Sequence, residues 1–354
     1  MVIAIINYTK NSLPCDNFLN YSNVINSLIQ EYSNSTFVFV SEDIFLQNFP
    51  PTNNVIKEGL PKSKVVKQIF YKTRLKSILK KHQVEIVLNF GNYFKHPTLK
   101  VIAFLQNIPK PKSEKQLLTA VQIIVNTNSI QKEIIEKNSL FESKVRVIYP
   151  TVSEHFKSLN TTAKEQVKDG YADGRFYFLL NSDGIKDNQL INVLKAFSQF
   201  KKWQKTNMKL IIANRLTNLS TELMDKMNTY KYKDDIVLAQ NIPDEKYALL
   251  LGASYCFLHL SNLQNNVLPL IEAIKTNTTI ISHDMESNKE IAGKAAIYIN
   301  SDSISEMSNQ LQSIYKDEIL RGKLIKETIS HSEKYDLNNS VKQFWDIITS
   351  VSQE

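Results

Sequence analysis

Short apolar runs alternate with longer amphipathic stretches along nearly the whole chain. Val2–Ile6, Thr36–Val40, Val84–Asn89, Val101–Leu105 and Val121–Val125 are rich in aliphatic and β-branched residues and read as strands. Asn20–Tyr32, Lys64–Lys81 and Ser129–Lys137 carry apolar residues at helical spacing and read as helices. Val145–Ile148 closes this half, and Tyr149-Pro150 marks a break, because a proline disfavours helix in the residue before it. Lys157 to Asp173 shows no apolar period and reads as a linker or exposed loop.

The alternation then restarts. Strands are expected at Phe176–Leu180, Lys209–Ala213, Ile236–Leu238, Ser254–Leu260, Thr279–Ser282 and Ala296–Ile299. Helices are expected at Asp187–Lys202, Thr221–Tyr230, Asp244–Leu251, Pro269–Lys275, Glu286–Ala292 and Ser303–Lys316. Strands alternating with helices imply βα units and parallel sheets. A chain of 354 residues exceeds one usual core. The expected fold class is therefore α/β, with two doubly wound Rossmann-like domains facing across a cleft. The expected boundaries are 1–150 for the N-terminal domain, 151–175 for a linker and 176–330 for the C-terminal domain. A terminal helix over 331–354 has the option of returning to the first domain.

Composition narrows the class. With 42% hydrophobic and 22% charged residues, the chain can bury cores and stay soluble. No apolar run approaches the ~18–20 residues needed to span a bilayer. Met1–Asn7 is too short for a signal-peptide core and lacks a basic flank, so the expected location is the cytoplasm. Cys15 and Cys256 lie far apart in no ligand spacing, and the six His form no HxxxH-like pair. No metal site is expected on that ground, and no cofactor is expected.

The net charge is +8, which suits phosphates, anionic lipid or nucleic acid without choosing among them. Its densest concentration is residues 62–81, with Lys62, Lys64, Lys67, Lys72, Arg74, Lys76, Lys80 and Lys81 and no acid. The interleaved apolar residues must cover a sheet, which leaves a basic face for an anionic membrane surface at the inner face of the membrane. No RNP, zinc-finger or helix-turn-helix signature accompanies it, so nucleic acid is the weaker partner.

Four segments carry a family likeness. They are Val145-Arg-Val-Ile-Tyr-Pro-Thr-Val-Ser-Glu-His-Phe156, Phe176–Leu180 with the helix ending Leu194-Lys-Ala-Phe197, Ile242-Pro-Asp-Glu-Lys-Tyr247 leading to Ser261, and Gln264-Asn-Asn-Val-Leu-Pro-Leu-Ile-Glu-Ala273. Glu290-Ile-Ala-Gly-Lys-Ala-Ala296 follows them. In this order they resemble a family 4-type (group 1) glycosyltransferase of GT-B fold over roughly residues 120–330. In the most specific segment Pro269 suits a first helical turn and sets Glu272 early on a helix, with amide groups before it at the positive helix end.

The resemblance implies transfer of a sugar from a UDP- or GDP-linked donor to a glycan or lipid-linked acceptor, with retained configuration and no essential metal. It assigns Glu272 to the ribose hydroxyls and Gln264 to the donor sugar, with Asn265, Asn266 and Val267 offering backbone amides. Lys186 and Arg215 are the candidate cations for the diphosphate. No residue is assigned as catalytic base.

The chain departs from the pattern at the donor end. The first acid of the family's E-x7-E motif falls on Gln264, and two glycines fall on Asn265 and Val267, where a Cβ hinders close approach. Ser182-Asp183 stand where a Gly-Arg pair is common, and Asp183 opposes a diphosphate. These departures raise the alternative of a degenerate scaffold that binds nucleotide, glycan or a partner without turnover.

Overall fold

The computed structural model describes residues 1–7, 16–41, 49, 51–61, 63–91, 96, 98–105, 111–215, 219–264 and 266–353. They form two compact units, one of Met1–Thr151 with Asp336–Glu354 and one of Val152–Tyr335.

The first unit holds strands β1 (Val2–Ile6), β2 (Thr36–Ser41), β3 (Val55–Gly59), β4 (Ile86–Asn89), β5 (Lys100–Phe104), β6 (Gln122–Val125) and β7 (Val145–Val147). Its helices are α1 (Asp16–Glu31), α2 (Lys64–Lys81), α3 (Pro111–Leu117) and α4 (Asn128–Lys137). The strands pair in parallel in the order β3-β2-β1-β4-β5-β6-β7. Alternate residues of each strand enter different cores. Ile3, Ile5, Phe37, Phe39, Ile86 and Leu88 face α1, whereas Ala4, Ile6, Val38, Val40 and Val87 face α2. Burial on both faces explains why these strands read as unbroken apolar runs.

The last helix of the chain, α13 (Leu337–Gln353), belongs to the first unit and packs on α1. Val341, Phe344, Ile348 and Val351 enter the core that contains Phe18, Tyr21 and Phe104. Trp345 stacks on Tyr32 at 3.7 Å between ring centroids, and Lys100 Nζ donates to the Val351 carbonyl at 2.9 Å.

The second unit holds β8 (Tyr177–Asn181), β9 (Lys209–Ala213), β10 (Ile236–Ala239), β11 (Cys256–His259), β12 (Ile280–His283) and β13 (Ala296–Ile299). Its helices are α5 (Thr161–Ala172), α6 (Asp187–Gln204), α7 (Thr221–Asn228), α8 (Asp244–Ala253), α9 (Leu268–Lys275), α10 (Glu286–Ala292), α11 (Ile304–Lys316) and α12 (Glu318–Ser332). The parallel order is β10-β9-β8-β11-β12-β13. Both sheets thus step outward from their first strand in one direction and then reverse. The reversal lies between β1 and β4 in one and between β8 and β11 in the other. This is the doubly wound order, and ligands of such sheets sit beyond the carboxyl ends of the strands at that reversal.

Three elements depart from the sequence expectation. Residues 161–172 form α5 where a loop was expected. Asn160 Oδ1 accepts from the Ala163 N–H at 2.8 Å, so the helix has a cap. Only Val167, Ala172 and the stem of Lys168 are buried, too few to produce a visible period. Strand β3 is an edge strand whose polar Lys57 and Glu58 hid it, and α3 is a short helix of mostly polar residues. No helix among the described residues is long and apolar enough to cross a membrane.

Candidate functional site

At the reversal of the second sheet, three loops leave the carboxyl ends of adjacent strands. Ser182 to Lys186 follow β8, Asn214 and Arg215 follow β9, and Leu260 to Val267 follow β11. Gly184, in the first of these, packs against the third. Its φ of +78° favours glycine, and a Cβ there would come within 3.0 Å of Leu263 Cδ1 and 3.5 Å of Ser261 Oγ. Asn266 Nδ2 donates to the Asp183 carbonyl at 3.4 Å, tying the same two loops.

Helix α9 starts from Val267, whose φ of −91° is unstrained and whose side chain is fully buried. The positive φ at which valine would be strained is therefore not adopted there. Pro269 occupies the first turn of α9. Glu272 comes one turn in, too late to be held by the free amides of the helix start. Arg215 holds it instead, with Nη1 donating to Oε1 at 2.9 Å and Nη2 to Oε2 at 3.1 Å.

Arg215 is itself positioned from three sides. Its backbone N–H donates to Asp183 Oδ2 at 2.9 Å, and Asp183 N–H donates to Asn181 Oδ1 at 2.9 Å, which fixes the β8 and β9 loops together. Nη1 also donates to Asp244 Oδ1 at 3.0 Å. The guanidinium carbon lies 4.3 Å from the centre of the Tyr247 ring, a cation–π placement. Asp244 and Tyr247 are three residues apart on α8 and so share one face.

Burial decides the electrostatics. Glu272 is 1% exposed. Burial works against the charge of Arg215, but the Glu272 carboxylate, with Tyr247 and Asp244, outweighs it and holds the guanidinium pKa above its ordinary value. Burial raises the Glu272 carboxyl, and Arg215 opposes that rise. A guanidinium does not lose its proton, and two donated bonds require an acceptor on both oxygens, so the pair is ionised. Burial also lifts the Tyr247 hydroxyl well above its usual range, with Glu272 adding to the rise.

Several buried polar atoms around the strand ends have no hydrogen-bond partner among the described residues. They include Asn214 Nδ2, Tyr247 OH and His259 Nε2. Burial holds His259 neutral by lowering its pKa to about 4. Unpaired buried polar groups cost roughly 1–3 kcal/mol each, so such atoms are candidate contacts for a polar ligand.

The structure thus brings Arg215 and Glu272 into contact, although 57 positions separate them. Asn266 joins the same loops, Gln264 is an exposed turn residue, and Lys186 is exposed at the start of α6. Asn265 lies outside the described residues. Arg215 is not an unmatched cation, since two carboxylates already meet its charge. Asp244 and Tyr247 lie in the segment Ile242–Tyr247, where the family likeness assigns neither a role. Their spacing at the start of a helix was the available signal.

Residues 162–331 match the family described as Glycosyl transferases group 1. No curated protein matches the chain. Solved structures match over the full length at low identity. A glycosyltransferase from Rickettsia africae is 14% identical, with a TM-score of 0.76 and coverage of 99% of this chain and 98% of that one. WaaG, a glycosyltransferase involved in lipopolysaccharide biosynthesis, is 12% identical, with a TM-score of 0.75 and coverage of 98% and 99%. Anabaena HepE in complex with UDP is 12% identical, with a TM-score of 0.75 and coverage of 99% and 100%. The fold is that of these GT-B glycosyltransferases, and residues 162–331 of the chain match the group 1 glycosyl transferase family.

Proposed function

We propose that the protein transfers a sugar from a nucleotide-linked donor, UDP- or GDP-based, to a glycan or lipid-linked acceptor. The observation that carries this reading is Glu272. It is an acid inside the group 1 segment, beside a cation and unpaired buried polar groups, at the end of the sheet where ligands of this architecture bind. In this reading Glu272 receives the ribose hydroxyls and Gln264 meets the sugar. The amides of Asn266 and Val267 face the diphosphate at the start of α9, with Lys186 as an exposed cation. The leaving diphosphate is stabilised by these groups without an essential metal, and configuration is retained.

The test is a thermal-shift titration with UDP and GDP, followed by donor hydrolysis assays over common UDP- and GDP-sugars. Nucleotide-dependent stabilisation with slow donor hydrolysis is the expected result. No stabilisation and no hydrolysis would defeat the reading.

One observation favours a second reading, a scaffold that binds nucleotide or a partner without turnover. Arg215 is matched by two carboxylates and Asp183 stands beside it, so the loops after β8 and β9 offer little net positive charge to a diphosphate. Nucleotide binding without hydrolysis or transfer across the same donor panel would select this reading.

Helix α2 supports association with an anionic membrane at the inner face. Val66 and Ile69 are 48% and 57% exposed, and they share a stripe with the exposed Lys76 and Lys80. Exposed apolar residues beside lysines are the composition of a helix lying in a headgroup layer.

A further inference from the structure

The Glu272 carboxylate is closed to ligands as it stands. At 1% exposure a water-sized sphere scarcely touches it, and a ribose hydroxyl is no smaller. Both oxygens already accept from Arg215. The Arg215 side chain is 14% exposed, and Asp244, which shares Nη1 with Glu272, is 62% exposed. The charges therefore run in series from solvent to interior, Asp244 to Arg215 to Glu272.

We infer that Arg215 is a gate on Glu272 that only a phosphate-bearing ligand opens, so that it sets the preference for nucleoside diphosphates over nucleosides. This rests on the reading of Glu272 as the ribose acceptor. A nucleoside alone offers neutral hydroxyls, which cannot replace a two-point charged bond without leaving a buried ion unpaired. A diphosphate offers oxygens that compete for the guanidinium in the same forked geometry. The hold from Asp244 is the weak one, because that carboxylate stands in water. When the guanidinium turns to the diphosphate, both oxygens of Glu272 are released for the ribose diol. The Tyr247 ring supports the guanidinium in the closed position. Phosphate and ribose recognition are then one coupled event rather than two independent contacts.

The deciding readout is nucleoside affinity, measured by isothermal titration of the full chain with UDP, uridine, GDP and guanosine. The wild type is expected to bind its diphosphate at least about tenfold more tightly than the matching nucleoside, as one forked Arg–phosphate contact warrants. Asp244→Asn loosens the exposed hold without opening a buried pair. It should raise affinity for diphosphate and nucleoside together, by up to about fivefold. Glu245→Gln removes a nearby charge that does not touch Arg215, and it should leave the nucleoside unchanged. Arg215→Met should raise nucleoside affinity while lowering that for the diphosphate, with a melting curve to confirm folding. Nucleoside affinity unchanged or lowered in Asp244→Asn overturns the gate and leaves the nucleotide site standing. Binding of neither diphosphate nor nucleoside by wild type and Asp244→Asn overturns the site and the gate together.

Discussion

Arg215 and Glu272 face each other through two hydrogen bonds, 2.9 Å from Nη1 to Oε1 and 3.1 Å from Nη2 to Oε2. One residue follows β9 and the other lies on α9, so the pair joins two βα units of the second sheet. Its two members do not have equal alternatives. Arg215 keeps Asp244 if the glutamate is lost, whereas the buried Glu272 carboxylate has no other cation among the described residues.

That asymmetry predicts unequal losses. Breaking a buried pair from one side costs about 3–5 kcal/mol. Arg215→Met should sit at the upper end of that range and Glu272→Gln at or below its lower end. The double variant should lose less than the sum, because neither charge is then left alone. Urea unfolding of the four proteins measures this. Equal single losses that simply add would contradict the pairing.

Gly293 should be intolerant of any side chain. It adopts φ +50° and ψ −122°, a region open mainly to glycine, and an added Cβ would lie 2.6 Å from His331 Nε2. Gly293→Ala should cost about 1–3 kcal/mol from backbone strain, with steric cost added. Adding His331→Ala should recover only the steric part. Full recovery in the double variant would mean that the backbone conformation carries no cost.

Stability should fall with acid through His259. Burial lowers its pKa from 6.5 to about 4 in the folded chain. Between these values the unfolded chain binds the extra proton, so stability rises with pH across the window. The contribution is complete above pH 6.5 and is lost as pH falls toward 4. Its size is roughly 3 kcal/mol. His259→Leu should flatten this limb of the urea-unfolding profile between pH 4 and 6.5, and an unchanged slope would refute the assignment.

The exposed stripe of α2 should bind anionic vesicles. Co-sedimentation with vesicles containing phosphatidylserine should exceed that with neutral vesicles and weaken as salt rises. Lys76→Glu with Lys80→Glu should weaken binding by at least ~2 kcal/mol, about 1 kcal/mol per basic residue lost. Ile69→Ser should weaken it at any salt concentration. No preference for anionic lipid would remove the membrane from the account.

Much of the fold was legible because strands buried on both faces leave unbroken apolar runs. Val2–Ile6, Lys209–Ala213 and Ala296–Ile299 begin and end where the pattern places them. Elements with little buried surface left weak traces. In α5 a capping Asn160 and three buried side chains suffice because the helix rests on α8, a partner that no local window contains. The edge strand β3 is polar for the same reason, since one of its sides has no neighbouring strand among the described residues.

The candidate site divides in the same way. Its segment was visible because Leu268 to Ala273 must satisfy local demands, with proline in the first turn of α9 and apolar residues turned to the core. The partners of Glu272 were not visible, because a carboxylate's environment depends on what the sheet brings beside it. Local periodicity and backbone chemistry are enough to specify two parallel α/β units and the place of Glu272 on a helix. That Arg215 covers Glu272, and that Asp244 and Tyr247 hold Arg215, follows from the folded arrangement alone. Strand order sets those contacts, and it brings together residues far apart in the chain whose charges decide what the site can bind.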